Sequence, residues 1–214
     1  MKYCGIDLHS SNSVVVIIDE TDKVVVSRRC RNELCKVLAL LEPHKAELAG
    51  VVVESTYNWY WLVDGLMAAG HEVKLANTVA MKRYDGLKHS GDEDDAAHLA
   101  HLLRLGILPT GYIHPPAQRA LRDLARKRIQ LVRTRTQQIL AVENILARTL
   151  GSRPSSNAIK RLSSEHVEVL GVEGDVALAV QSKLAIIEAL NRQIGQLEKR
   201  LLQSATPQPE YAVV

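Results

Sequence analysis

Three separated stretches of the chain place carboxylates where they could act together. Asp7 closes the apolar run Tyr3-Cys4-Gly5-Ile6, Glu54 closes Gly50-Val51-Val52-Val53, and Asp92-Glu93-Asp94-Asp95 opens a stretch with helical spacing. A carboxylate at the end of a buried strand is held rigidly, and two such strands can set their acids at one end of a sheet. Asp92 and Asp95 are three residues apart and share a helix face with Leu99, whereas Glu93 and Asp94 point away. Acids converging from three places suit a hard divalent cation, which takes oxygen ligands. Each acid also has a local explanation. A turn Asp can bond its own backbone, and acids in a first helical turn complement the helix dipole. The dipole explains one or two acids better than a stack on the core-facing side. Asp94, His98 and His101 fall at i, i+4 and i+7, but a tetrahedral zinc site needs a fourth ligand that the sequence does not supply, so these histidines read as surface residues.

The elements that must carry these acids follow from hydrophobic pattern. Residues 3–8, 14–19 and 24–28 read as three β-branched strands separated by short polar turns, which is an antiparallel meander. Asn32 is placed to cap a helix with apolar positions Leu34, Val37, Leu38 and Leu41, ended by Pro43. Residues 48–54 form a fourth strand. Ser55 or Thr56 caps the next helix, which runs to Ala69 and stops at Gly70. Residues 71–76 form a fifth strand, and residues 92–105 a helix. The order βββαβαβ is the ribonuclease H-like plan, an α/β mixed sheet with flanking helices. There the first strand is central and the fourth lies beside it, so Asp7 and Glu54 become neighbours.

Two further features concern partners. Tyr57, Trp59, Tyr60 and Trp61 cluster in a chain otherwise poor in aromatics. They read first as rings packed on the sheet and second as a base-stacking surface; Trp59 is expected to point away from the face shared by Tyr57, Tyr60 and Trp61, toward a partner. Lys82, Arg83 and Lys88, in the connector before the acidic group, suit phosphate contact or plain solvation equally. From residue 117 to 150 there is neither Gly nor Pro, and one long helix is expected. Its apolar stripe is opposed by Arg119, Arg122, Arg126, Lys127, Arg128, Arg133, Arg135 and Arg148, with only Asp123 and Glu143 as counter-charges. A solubilising face mixes both signs, so this excess points to a nucleic-acid backbone. A last helix over residues 175–203 carries Leu184, Ile187, Leu190, Ile194, Leu197 and Leu201, the seam of a coiled coil or antiparallel helix pair.

Composition limits the alternatives. The 214 residues are 46% apolar and 24% charged with net charge +3, which suits a folded core plus an extended arm. Cys4, Cys30 and Cys35 are odd in number and lack CxxC spacing, so they read as reduced thiols. Asp7 arrives before any signal-peptide core could form, and no run approaches the roughly 18–20 apolar residues of a membrane span. A cytoplasmic location and no membrane partner are the expectation.

With these residues in place the chain resembles the DEDD-type insertion-sequence transposases, some of which are RNA-guided (bridge RNA) recombinases. Gly5-Ile6-Asp7 resembles the family's first-strand motif, Val53-Glu54-Ser55-Thr56 its E-[AS]-T motif, and Asp92-x-x-Asp95-Ala96-x-x-Leu99-Ala100 its D-x-x-D-A-x-x-L-A motif. Tyr57 stands where many members have Gly. The resemblance implies a Holliday-junction-resolvase-like (RuvC-like) domain over residues 1–112, a helical and coiled-coil region over 113–206, and a tail over 207–214 where a second, serine-bearing domain begins in relatives. It implies Asp7, Glu54, Asp92 and Asp95 as catalytic metal ligands for Mg2+, with Mn2+ as substitute. DNA, a guide RNA and further copies of the chain are the implied partners. Lys82, Arg83, Lys88, Arg122, Arg126, Lys127, Arg128, Arg133 and Arg135 are the expected nucleic-acid contacts. Two magnesium ions about 3.5–4 Å apart can activate a nucleophile and stabilise a leaving oxygen in phosphoryl transfer. The expectation is a chain holding the metal half of a composite site, able to bind but not to exchange strands.

Two other classes compete. A non-catalytic nucleic-acid-binding and dimerisation module needs only the basic helix and the terminal seam, and metal-dependent cleavage separates it from an enzyme. An actin-like kinase also opens βββ with an Asp on its first strand, but needs small residues after that Asp to cradle phosphate; here Leu8-His9 follow.

Overall fold

The computed structural model describes residues 1–81, 91–151, 153–164, 167 and 170–205. Two compact units divide the chain, Met1–Ile113 and His114–Val214.

The first unit is built on strands β1 (Lys2–Leu8), β2 (Asn12–Asp19), β3 (Val24–Arg31), β4 (Leu48–Glu54), β5 (Val73–Ala76) and β6 (Thr110–Gly111). They form one sheet in the order β3-β2-β1-β4-β5-β6. β1 to β3 are an antiparallel meander, β4 runs parallel to β1, and β5 parallel to β4. This is the ribonuclease H-like arrangement. Two-residue β6, which pairs antiparallel with β5, has no periodicity to betray it in the sequence. The central strands β1, β2 and β4, the last two rich in Val, are buried on both faces, as central strands require. Edge strand β3 instead carries Arg28, Arg29 and Arg31, which discourage edge-to-edge pairing.

Period-two alternation sorts the two faces. Cys4, Ile6, Leu8, Val15, Ile17, Val51 and Val53 point toward helices α1 (Leu34–Leu41) and α2 (Tyr60–Ala68). Val14, Val16, Ile18 and Val52 point the other way, toward Ala96, Leu99, Ala100 and Leu103 of α4 (Asp92–Arg104). Between β5 and α4 lies the single-turn helix α3 (Thr78–Met81). α4 crosses so close to β1 that a Cβ on Gly5 would stand 2.0 Å from the Ala96 carbonyl oxygen and 2.8 Å from the Ala100 amide nitrogen. No residue with a side chain fits there without moving the helix.

Both ends of α4 are tied to the β2–β3 hairpin. At its C-terminal end Arg104 donates to both Asp22 carboxylate oxygens, through Nε at 2.6 Å and through Nη2, and His101 Nδ1 lies 2.9 Å from Asp22 Oδ1. Burial would raise the Asp22 carboxyl, but these bonds and charges outweigh it and hold the group below its ordinary range. At its N-terminal end Arg29 donates to Asp92.

Three expectations are corrected. Asn32 does not cap α1, whose N-cap is Glu33 without a side-chain bond; Asn32 instead accepts from Ser13 Oγ at 2.7 Å and donates to the His9 carbonyl at 2.9 Å. α2 starts at Tyr60, later than the Ser55 or Thr56 cap predicts, because Thr56 and Asn58 spend their side chains on a turn joined to β1. Trp59 therefore falls outside the helical period. It is buried at 6% exposure, edge-on to Tyr60 with ring centroids 4.5 Å apart, and it is Tyr57, at 81%, that faces solvent.

The second unit pairs α5 (Pro116–Leu150) with α7 (Gly174–Ala205), with short α6 (Ser156–Arg161) between. Ile139, Val142, Leu146, Ile159, Val180, Leu184 and Ile187 form its core. Arg128 bonds Glu198 and Arg135 bonds Asn191, so as α5 advances its partner recedes by the same interval and the helices run antiparallel. The predicted α7 seam is the face that packs: Leu184, Ile187 and Ile194 are fully buried, and Leu190, Leu197 and Leu201 half-buried. Gly151, at φ +69°, ends α5 in the left-handed conformation that glycine adopts without penalty.

Candidate metal and nucleic-acid sites

Asp7 sits one residue beyond the last Ile6–Val53 pair of the β1–β4 register, where Glu54 is its lateral neighbour. Both acids follow residues of the α4 face at intervals of two, Gly5 before Asp7 and Val52 before Glu54, so both strand-end carboxylates belong to the side that α4 covers. The first turn of α4 opens above them. Asp92 and Asp95 are half-buried while Glu93 and Asp94 are exposed, the division the helical spacing predicts.

The ligand atoms that come together among the described residues are those of Asp7, His9 and Asp92, all within 4.8 Å of one another. His9 Nε2 lies 3.0 Å from Asp7 Oδ2 and 3.5 Å from Asp92 Oδ2. Asp7 is almost fully buried, with 4% exposure. The hydrogen bond from Arg29, helped by the nearby His9, holds the Asp92 carboxyl below its ordinary range. Glu54 and Asp95 are positioned by the same elements, but their carboxylates are not members of this cluster.

His9 and Arg29 are absent from the sequence-derived site. His9 was findable: it lies two residues after Asp7, so alternation returns it to the same face. Arg29 needed the register. Asp7 pairs with Val14 and Val14 with Arg29, giving one row across three strands with all three side chains on the α4 face. A two-residue shift anywhere in the hairpin would put another residue beside Asp92.

The residues present fit a small divalent cation. The donors are two carboxylates and an imidazole nitrogen. His9 Nε2 is itself buried and makes no aligned hydrogen bond, although it stands between two carboxylate oxygens. A cation placed there would share Asp92 with Arg29 or displace it.

The basic side chains of α5 fall into two groups. Arg122, Arg126, Lys127 and Arg133 are exposed. Spacings of four and seven residues put Arg122, Arg126 and Arg133 on one face of α5. Arg128 and Arg135 are occupied: Arg128 donates to Glu198 through Nε at 2.9 Å and Nη2 at 2.7 Å, and Arg135 donates to Asn191 at 2.8 Å. These two arginines fasten α5 to α7, which the sequence could not reveal without the α7 pairing. Lys82, Arg83 and Lys88 lie outside the described residues.

Strand order and site together define a ribonuclease H-like protein with a cluster of acids at the end of its central strands. The chain belongs to the DEDD transposase family: the family model described as DEDD_Tnp_IS110, transposase, matches residues 4–150. No curated protein is a significant match. Among solved structures the chain is similar to T. thermophilus RuvC in complex with Holliday junction substrate, at 13% identity and TM-score 0.39, over 52% of this chain and 99% of that one. A second Thermus thermophilus RuvC structure gives 14% identity and TM-score 0.36 over 52% and 100%. A ROK family transcriptional regulator, a homolog of the E. coli MLC protein, gives 14% and 0.32 over 90% and 70%. The fold assignment rests on the strand order itself. Among the described residues no helix is long and apolar enough to cross a membrane.

Proposed function

We propose that this chain is the metal-binding part of a DNA transposase or site-specific recombinase that cleaves DNA strands with divalent cations. The observation that carries the reading is the convergence of Asp7 from β1 and Asp92 from α4, two carboxylates 85 residues apart whose ligand atoms share one small volume. Family membership supplies the reaction class. Asp7, Glu54, Asp92 and Asp95 are the proposed ligands, Mg2+ the proposed ion and Mn2+ its substitute; when bound, the ion activates the attacking oxygen and stabilises the leaving one.

The chain's own residues have separate tasks. Asp7, buried at the end of β1, fixes one ligand position, and α4 brings Asp92 beside it and carries Asp95 one turn further on. Arg29 neutralises Asp92 and stands ready to meet a phosphate oxygen on the same face. Arg122, Arg126, Lys127 and Arg133 supply exposed charge for a DNA backbone or a guide RNA. The apolar residues Ile129 and Leu140, which α5 leaves exposed, offer surface for association between copies of the chain. Strand exchange requires a nucleophile; cleavage by water is what the carboxylate site described here can support.

The test is incubation of the 214-residue chain with a branched DNA duplex and Mg2+ or Mn2+. Metal-dependent nicking that disappears in Asp7→Asn, with DNA binding intact, is the expected result. Binding without nicking under either metal would favour the alternative, a nucleic-acid-binding and dimerisation module.

A further inference from the structure

We infer that His9 is a direct ligand of the bound cation, adding an imidazole nitrogen to the carboxylate oxygens of Asp7 and Asp92 in the first coordination shell. The inference rests on the metal-dependent reading above and goes beyond the four acids.

Three observations carry it. The first is position. His9 Nε2 lies 3.0 Å from Asp7 Oδ2 and 3.5 Å from Asp92 Oδ2, so one ion can touch all three atoms with little rearrangement. The second is the state of that nitrogen. It is buried and makes no aligned hydrogen bond, an arrangement that costs free energy and that a coordinated cation would offset. The third is how firmly the residue is held. Its amide donates to the Asn12 carbonyl at 2.9 Å. Its carbonyl accepts from Asn32 Nδ2 at 2.9 Å and from Asn58 Nδ2 at 3.0 Å. Asn32 in turn accepts from Ser13, and Asn58 from Thr56. Three separate segments thus pin the backbone of one residue just past the end of a strand. A solvated loop histidine needs no such support, whereas a metal ligand needs its first shell fixed by surrounding hydrogen bonds.

The consequence is a changed metal preference. Oxygen-only sites suit Mg2+, and an imidazole nitrogen raises affinity for transition ions relative to it. The wild-type chain should therefore bind Mn2+ well ahead of Mg2+. His9→Gln should weaken Mn2+ binding by about 10-fold or more and Mg2+ binding by much less, narrowing the ratio between them.

The direct readout is electron spin-echo envelope modulation of the full chain with one equivalent of Mn2+. Nitrogen-14 modulation from a coordinated imidazole is expected in wild type. It should vanish in His9→Gln and persist in His101→Gln, which alters a histidine at the far end of α4. His9→Asn replaces His9→Gln should the latter fail to fold. Bound Mn2+ without nitrogen modulation, or modulation that survives loss of His9, overturns the assignment and leaves the carboxylate site standing. Failure of wild type to bind Mn2+ at millimolar concentration removes the metal reading and this inference with it.

Discussion

The contact between Gly5 and α4 makes the most demanding prediction, because it ties the packing of the sheet to the geometry of the site. Adding one methyl group, Gly5→Ala, would place a Cβ 2.0 Å from Ala96 O and 2.8 Å from Ala100 N. Both are backbone atoms of a helix tied at each end to the β2–β3 hairpin, so no rotamer change relieves the clash. Reaching even 3.0 Å requires α4 and β1 to separate by about 1 Å. Overpacking of this kind costs roughly 1–3 kcal/mol, and a clash with backbone belongs at the upper end. Replacing a strand glycine returns less than about 1 kcal/mol through the unfolded chain. The net expectation is about 2 kcal/mol of destabilisation, which for a chain this long lowers Tm by roughly 4–8 °C. The same displacement moves Asp92 away from Asp7, and a misplacement of about 1 Å can cost 10²-fold in rate. Gly50→Ala is the control. It lies on the neighbouring strand under the same helix, but its Cβ would meet Leu103 at 3.6 Å and Glu72 O at 3.7 Å, ordinary contact distances. It should leave Tm unchanged or raise it slightly and spare activity. Calorimetry of the two variants with nicking assays beside them decides the matter. A Gly5→Ala protein as stable and active as wild type, or a Gly50→Ala protein equally damaged, would refute the argument that close approach at Gly5 sets the site.

Two further predictions concern the second unit. Changing Arg122, Arg126 and Arg133 together to Gln should flatten the dependence of DNA affinity on salt by about 2–3 in log–log slope, since each lost phosphate contact removes about 0.9; Arg128→Gln should leave that slope unchanged, because its side chain is spent on Glu198. Glu143 is buried and accepts hydrogen bonds from Ser156 and from Arg153, which hold its carboxyl below the ordinary value near 4.5. A depressed carboxyl stabilises the folded state above that value and loses the contribution as pH falls through the folded pKa. Wild type should therefore lose Tm more steeply than Glu143→Gln below about pH 4.5, and parallel acid limbs would show that the carboxylate contributes nothing there.

What the sequence disclosed depended on whether a residue's role is set by its own element or by another. Asp7 and Glu54 were legible because each ends an apolar run, and two buried runs in a βββαβαβ order leave few arrangements. The division of Asp92 and Asp95 from Glu93 and Asp94 needed only the helical period. Arg29 was hidden because its place beside Asp92 depends on the β1–β2–β3 register. Arg128 and Arg135 looked like the exposed arginines around them, and only the antiparallel α5–α7 pairing distinguishes fasteners from free charge. The place of Trp59 was hidden because a helix starting at the first capping residue, Ser55 or Thr56, would turn its ring toward solvent. Thr56 and Asn58 use their side chains to pin the end of β1, and that delays the helix until Tyr60. His9 carried a weaker signal, only its two-residue spacing from Asp7, which puts it on the same face.

The central claim is that Asp7 and Asp92, brought together from β1 and α4, hold one cation between them. Isothermal titration of Mn2+ into wild type, Asp7→Asn, Asp92→Asn and the double variant tests it most directly. If the two carboxylates share an ion, each single change should remove most of the binding and the double change should cost little more, a large coupling between residues in one network. Losses that simply add, or undiminished binding in either single variant, would contradict the claim.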